Sequence, residues 1–310
     1  MAKILFDCDP GLDDALALLL AHTDPALELL AVTTVGGNVS LPNTTRNALQ
    51  LREYLGFTTV PISAGAAVPL EREAEDAAWV HGAEGLGDVT LPPPTLEVTG
   101  HWAPDFIVDL LRTHPGQVHL VATGPLTNIA LALRAEPRIA QWAASFVIMG
   151  GSSTRGNTTP AAEYNIFADA EAAAIVFDAG WQVVMIGLDL TLQAIATPAI
   201  INRMRGLGAL GTELVVPLAS FWPGSTVEEI AGNGQAVHDV CAVAYLSRPD
   251  LFTSRPARVQ VETIGRYTYG MTVVDFDSQH PNALVPLHLD VDGFWDYVLR
   301  SWSTLTKDSK

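Results

Sequence analysis

Lys3-Ile4-Leu5-Phe6-Asp7-Cys8-Asp9-Pro10-Gly11-Leu12-Asp13-Asp14-Ala15 opens the chain and decides how the rest is read. The apolar run Ile4–Cys8 has strand character. A Pro-Gly turn follows, and Asp13 and Asp14 open a helical run that stays apolar through Ala21. Asp7, Asp9, Asp13 and Asp14 are thereby crowded around a single turn. Ionised carboxylates repel, so such a cluster is costly unless a cation neutralises it. Every evident ligand is a hard oxygen, which favours Ca²⁺ or Mg²⁺ over Zn²⁺.

Simpler explanations cover less. Helix-start acids often serve as caps and dipole partners, which accounts for Asp13 or Asp14 but not for Asp7 and Asp9 as well. An EF-hand loop needs Glu at its twelfth position; counted from Asp7 that position is Leu18. A phosphatase of the haloacid dehalogenase type also places Asp-x-Asp after its first strand. It would use Asp7 as nucleophile and normally an interior basic residue on the phosphate. The only lysines here are Lys3, Lys307 and Lys310, at the termini.

The 310 residues are 48% hydrophobic, enough for one large core, and the formal net charge is −17. An acidic chain without a basic patch excludes nucleic acid and anionic membranes as natural partners. A small neutral or cationic ligand fits better. The two cysteines, Cys8 and Cys241, lie in apolar contexts and imply reduced, buried thiols rather than a disulfide framework. No signal peptide and no uncharged run of the ~20 residues a membrane span needs is evident, so the expected location is cytoplasmic. Gly-Lys, Gly-x-Gly-x-x-Gly after a strand, and Gly-x-Ser-x-Gly are all missing, which removes the usual phosphate, dinucleotide and serine-hydrolase motifs.

Further along, strand-like runs at Ile4–Cys8, Leu29–Val35, Val60–Ala64, Val118–Ala122, Phe146–Met149 and Val183–Ile186 alternate with helical patterns. The helices expected are Asp14–His22, Thr44–Leu55, Pro104–His114, Leu126–Glu136 and Ala170–Ala179. This alternation predicts a single α/β domain over residues 1–310: an open, mostly parallel, Rossmann-like sheet covered by helices on both faces. The tail Val259–Leu289 reads as β-rich, with a strand at Met271–Phe276, before a closing helix at Phe294–Trp302. Four strands end in polar or glycine-rich turns: Asp7-Cys-Asp9, Gly36-Gly37-Asn38, Thr123-Gly124-Pro125 and Gly150-Gly151. In open α/β sheets ligands bind outside the carboxyl ends of the strands, so the site is expected there. Two irregular stretches, Glu71–Pro94 and Ser220–Gln235, have the length of lids.

Three more segments carry polar chemistry. Asn157…Glu163-Tyr164-Asn165…Asp169 is dense in amides and acids, good partners for sugar hydroxyls, although Asp169 also suits a helix cap. His238-Asp239 precedes an apolar helix, and His81 sits inside the first irregular stretch. The opening stretch resembles the signature of the inosine-uridine nucleoside hydrolases, Ca²⁺-dependent N-ribohydrolases. The resemblance extends through Thr33-Thr-Val-Gly-Gly-Asn38, Thr123-Gly-Pro-Leu-Thr-Asn128, Val147-Ile-Met-Gly-Gly151, Glu163-Tyr-Asn165, Gly187-Leu-Asp-Leu-Thr191 and His238-Asp239.

The resemblance implies hydrolysis of the N-glycosidic bond of a ribonucleoside to ribose and a free base, in a homodimer or homotetramer with one Ca²⁺ per subunit. It implies Asp9, Asp14, Asp239 and the Thr123 carbonyl as metal ligands, with Asp9 also taking the proton from a calcium-bound water. Asp13 and Asn165 would grip the ribose 2′ and 3′ hydroxyls, with Asn38 nearby. Asn157 and Glu163 would bind the 5′ hydroxyl, Met149 would lie beneath the sugar, and Tyr164 joins the substrate-binding group. His81 and His238 match histidines near the base and the 5′ region, and His238 is the expected proton donor to the leaving base. Between Trp222 and His238 the chain has no aromatic residue, a departure that bears on base preference. Besides the phosphatase, a non-catalytic nucleoside or sugar binder is the alternative.

Overall fold

A computed structural model describes residues 1–221 and 234–305. Its main sheet is built from β1 (Ala2–Cys8), β2 (Leu27–Thr34), β3 (Ile62–Ala64), β4 (Val118–Ala122), β5 (Ser145–Met149) and β6 (Val183–Ile186). A short ribbon pairs β7 (Ile195–Ala196) with β8 (Gln235–Ala236). The main sheet is completed by β9 (Phe252–Val261), β10 (Thr272–Asp275) and β11 (Ala283–Leu289). The nine strands run in the order β10-β9-β11-β6-β5-β4-β1-β2-β3. All neighbours are parallel except those of β9, which runs antiparallel to both β10 and β11. The expected open α/β architecture is therefore present.

Side-chain alternation along β1 divides the core. Ile4, Phe6 and Cys8 face one apolar cluster, shared with the helices Leu12–Thr23, Leu41–Leu55, His238–Ser247 and Val291–Trp302. Leu5 faces the other, shared with the helices Ala103–Thr113, Thr127–Ala135 and Ala170–Phe177. Burial on both faces is why the strands read as nearly continuous apolar runs. Fully burying a side chain the size of Phe6 or Leu19 contributes about 1.5–3 kcal/mol.

Several boundaries differ from the sequence reading. The third strand starts at Ile62 rather than Val60, because Pro61 has no N–H to give the ladder; its carbonyl still accepts from Val32 at 3.0 Å. The β-rich tail begins at Phe252, earlier than Val259. Within the first irregular stretch a short helix forms at Ala78–His81. The second, Ser220–Gln235, falls largely on residues 222–233, outside the described residues.

The chain winds from β1 outward through β2 to β3, then returns to the other side of β1 with β4 and continues to β6. The reversal lies between β1 and β4, the position at which open α/β sheets form a ligand crevice. Asp9 leaves β1 and Thr123 leaves β4 at that point. Among the described residues no helix is long and apolar enough to cross a membrane.

Candidate active site

The crevice is built from the backbone outward. Asp9 is fully buried, and its Oδ2 accepts the Asn38 N–H at 2.7 Å. Its Oδ1 is buried with no hydrogen-bond partner among the described residues. Two glycines explain how a carboxylate fits there. A Cβ on Gly37 would collide with Asp9 Oδ2, and one on Gly124 would stand 2.7 Å from Oδ1. The glycines that end β2 and β4 are thus required by close approach, not only by turn geometry.

Asp14, in the first turn of Leu12–Thr23, is held from three sides. Its Oδ2 accepts from the Gly11 N–H and from Asn38 Nδ2, both at 3.0 Å, and its Oδ1 accepts from Thr123 Oγ1 at 2.8 Å. Asn38 Nδ2 also donates to the Asp9 carbonyl at 3.1 Å. Asn165 Nδ2 donates to the Thr123 carbonyl at 2.7 Å and to the Met149 carbonyl at 3.1 Å. One hydrogen-bonded chain therefore joins Asp9, Asn38, Thr123 and Met149, from four different strand ends, with Asp14 and Asn165, from the first turns of two helices.

Asp239, in the first turn of His238–Ser247, completes the acidic group. Carboxylate oxygens of Asp13, Asp14 and Asp239 lie within 4.8 Å of one another. Asp13 is half-buried, the other two buried. Burial and then repulsion from Asp14 push the Asp9 carboxyl far above its ordinary range. Burial and then Asp13 push Asp14 up to about 7, and burial followed by Asp13, Asp14 and Asp9 raises Asp239. Such a group holds its full negative charge only with a cation beside it. The all-oxygen donor set, the orphaned Asp9 Oδ1 and the packed carboxylates fit a hard divalent ion.

Glu163 caps the helix Tyr164–Ala168. Its Oε1 accepts from the Asn165 N–H at 2.9 Å, and its Oε2 from the N–H groups of Ile166 at 3.1 Å and Gly151 at 2.8 Å. Burial raises its carboxyl while these amides draw it down. Asn157 Oδ1 accepts the Tyr164 N–H at 2.9 Å, and the Tyr164 hydroxyl donates to the Glu75 carbonyl at 3.0 Å. His238, half-buried, pairs through Nδ1 with Thr191 Oγ1 at 2.8 Å. His81 is buried, and its Nδ1 accepts the Leu12 N–H at 3.1 Å.

The sequence reading grouped Asp7 with the cation-side acids, but the structure seats it behind them on Thr33 and Asn128, in a supporting layer that sequence reasoning otherwise missed. Asp7 is fully buried; Thr33 Oγ1 donates to its Oδ1 at 2.5 Å and Asn128 Nδ2 at 2.8 Å, while its Oδ2 has no partner among the described residues. Burial pushes its carboxyl up to about 7. Asn47 Nδ2 donates to the Pro10 carbonyl at 3.0 Å and the Glu84 carbonyl at 2.8 Å, tying the opening turn to the first irregular stretch. Thr33, Asn128 and Thr191 belong to motifs quoted above, so a signal existed; Asn47 carries none.

With this geometry, comparison with known proteins is informative. Residues 4–296 match the family model described as inosine-uridine preferring nucleoside hydrolase. The chain is 44% identical over 302 residues to the inosine-uridine preferring nucleoside hydrolase of Leishmania major, covering 96% of each chain. It is 46% identical over 298 residues to the non-specific ribonucleoside hydrolase RihC of Escherichia coli K12, covering 95% of this chain and 96% of that one. Among solved structures, the purine-preferring ribonucleoside hydrolase from Gardnerella vaginalis superposes with a TM-score of 0.90 at 32% identity, covering 98% of both chains. The plant nucleoside hydrolase PpNRh1 superposes with a TM-score of 0.87 at 29% identity, covering 97% of this chain and 99% of that one.

Proposed function

The chain belongs to the inosine-uridine preferring nucleoside hydrolase family and is a hydrolase of N-glycosyl compounds acting on ribonucleosides, and from that premise we propose that it works with Ca²⁺ and with Asp9 as general base. Family membership sets aside the phosphatase and the non-catalytic binder. The observation that carries the proposal is the buried carboxylate cluster with Asp9 Oδ1 left unpartnered. Asp9, Asp14, Asp239 and the Thr123 carbonyl would hold the ion, and Asp13 joins the same carboxylate group. When bound, calcium supplies fixed positive charge that organises the ribose diol and acidifies the attacking water.

The chain's own residues do the rest. Breaking the C1′–N bond builds positive charge on the sugar. The acidic crevice stabilises that charge more than it stabilises the neutral nucleoside, which is the condition for acceleration. Asp13 and Asn165 hold the 2′ and 3′ hydroxyls, with Asn38 at the same end. Asn157 and Glu163 hold the 5′ hydroxyl, Met149 lies beneath the sugar, and Tyr164 flanks it. As water attacks C1′, Asp9 Oδ1 takes its proton. The bonding pair leaves with the base, which receives a proton from His238. The reading takes residues 1–310 as one domain, a cytoplasmic homodimer or homotetramer. Size-exclusion chromatography with light scattering reports the oligomeric state.

The test is ribose release from inosine and uridine by exhaustively chelated protein, before and after calcium is returned. Loss on chelation with recovery on calcium is expected. Full activity in metal-free protein refutes the calcium assignment.

A further inference from the structure

Glu71-Arg72-Glu73-Ala74-Glu75-Asp76 holds four acids, one base and no large apolar side chain. Hydrophobic burial cannot pin such a stretch to the body, and its acids are repelled by an acidic crevice. It nevertheless belongs to a strap, residues 70–81, that runs from the β4 side of the crevice to the β2 side. At one end the Leu70 N–H donates to Asp169 Oδ2 at 2.9 Å, an oxygen that also accepts from Thr127 Oγ1 just beyond β4. Further on, the Ala77 N–H donates to the Asn38 carbonyl at 3.1 Å, just beyond β2. Between these points the Glu75 carbonyl accepts the Tyr164 hydroxyl at 3.0 Å. The strap therefore bonds to two residues proposed to contact the nucleoside, Tyr164 and Asn38.

Arg72 supplies the anchor. Its Nε donates to Glu171 Oε1 at 3.1 Å and its Nη2 to the Thr263 carbonyl at 3.0 Å. The guanidinium lies 3.7 Å from the centre of the Tyr269 ring, and the Tyr269 hydroxyl donates to the other Glu171 oxygen at 2.6 Å. Tyr269 in turn packs edge-on against Phe167, in the helix that carries Tyr164 and Asn165. One planar cation thus ties the strap to the helix Ala170–Phe177 and to the turn between β9 and β10. The half-exposed ion pair with Glu171 contributes little by itself; the strength lies in three different contacts made by one rigid group. Packing does not replace it. A hollow of about 600 Å³ opens beside Arg72, between Glu73 and Glu75 of the strap and the facing Phe167, Ile264 and Tyr269. Among the described residues, no other side chain from Glu71 to Asp76 hydrogen-bonds outside the strap.

We propose that Arg72 is a positioning residue for nucleoside binding: its clasp on Glu171, Thr263 and Tyr269 holds the strap in the arrangement that seats Tyr164 and Asn38 before the nucleoside arrives. The clasp does not depend on what the site binds. Its effect on binding rests on the hydrolase reading.

Hydrogen exchange followed by mass spectrometry, on the calcium-loaded full chain without substrate, reads the clasp directly. Arg72→Ala should speed exchange about tenfold or more in the peptide covering the strap and leave the helix Val291–Trp302 unchanged. Unchanged exchange in the strap overturns the clasp, whatever the chain hydrolyses. Steady-state rates on inosine and uridine read the consequence. If the seated strap falls to about a tenth of the population, KM rises about tenfold while kcat stays within about threefold. A fall in kcat at constant KM, or unchanged kinetics in a protein whose strap exchanges faster, overturns the positioning role. Arg72→Lys separates the clasp from simple charge. An ammonium keeps the charge but cannot serve Glu171, Thr263 and the Tyr269 face together, so its KM should lie within about threefold of that of Arg72→Ala. Arg72 is half-exposed, so both variants should keep melting temperatures near wild type. A wild-type KM in the lysine variant assigns the effect to charge and overturns the proposal.

Discussion

Asp9→Asn isolates one oxygen. In the wild-type site Oδ2 is committed to the Asn38 N–H at 2.7 Å, while Oδ1 is buried and unpartnered. The asparagine amide has two orientations. With its carbonyl toward Asn38 the hydrogen bond survives and the amide nitrogen replaces Oδ1. The flipped orientation sets N–H against N–H and costs about 1–3 kcal/mol for the stranded donor, so the first is populated. The substitution is isosteric, and the tight seat between Gly37 and Gly124 still accepts it. What changes is that the lone pair proposed to take the proton becomes an N–H donor. Removing a general base costs about 10²–10⁴ in rate, or about 3–5 kcal/mol in barrier. We therefore expect kcat on inosine and uridine to fall at least ~10²-fold at saturating calcium. Bound calcium must be measured alongside, because Asp9 is also a proposed ligand. A variant with full calcium and kcat within about threefold of wild type would refute the general-base role.

Other expectations follow from the same site. With Asp13 and Asn165 in their proposed role of reading the 2′ and 3′ hydroxyls, deoxyuridine should be turned over up to roughly 10⁴-fold less efficiently than uridine; equal kcat/KM contradicts the assignment. His238→Ala should lower kcat with little change in KM on natural nucleosides but spare p-nitrophenyl riboside, whose phenolate leaves unaided. An equal loss on both substrates removes His238 as the acid. Burial raises Asp14 to about 7, and raises Asp9 and Asp239 as well. A carboxyl raised by folding contributes stability below its unfolded pKa and loses it as pH climbs through the folded value. Chelated protein should weaken between about pH 4 and 7 from this source. The proposed calcium would offset the loss, so the melting-temperature gap between calcium-loaded and chelated protein should widen from pH 5 to 8. A constant gap would show that these carboxylates do not change their protonation across that range.

What the sequence disclosed tracks how local the signal is. The strands β1 to β6 were legible because burial on both faces forces short β-branched and apolar runs, and the polar residues that end them stand out. β9 was legible only in its second half. Its first half, Phe252-Thr-Ser-Arg-Pro-Ala257, is polar and contains Pro256, which argues against a strand interior. The pairing explains the exception. β10 covers only Arg258–Val261, so around Pro256 one side of β9 is a sheet edge and the missing N–H costs no ladder bond. The acid cluster was legible because several carboxylates around one turn are rare, although Asp7 of that turn lies behind the site on Thr33 and Asn128, and Asp239 joins Asp13 and Asp14 from far along the chain. Partnerships between distant segments left no trace: nothing near His81 points to Leu12, and nothing near Asn47 points to Pro10 or Glu84.

The charge balance of the site links its stability to its chemistry. Among the described residues the Arg–carboxylate ion pairs lie toward the surface, and none includes Asp9, Asp13, Asp14 or Asp239. The cluster is instead solvated by amides and a hydroxyl, from Asn38, Gly11 and Thr123. Neutral donors stabilise carboxylates without cancelling their field. A lysine or arginine in the same place would cancel it, and would make the folded protein more stable without a metal. It would also remove the attraction for positive charge that grows on the sugar as the C1′–N bond breaks. Preorganised charge of this kind costs stability when the site is empty of cations and lowers the barrier when the transition state forms. The near absence of lysine thus has a local counterpart in the crevice. In the proposed mechanism neutralising charge comes from outside the chain, from the metal first and from the reacting ribosyl group second, so replacing any cluster carboxylate should trade catalytic rate for stability of the chelated protein.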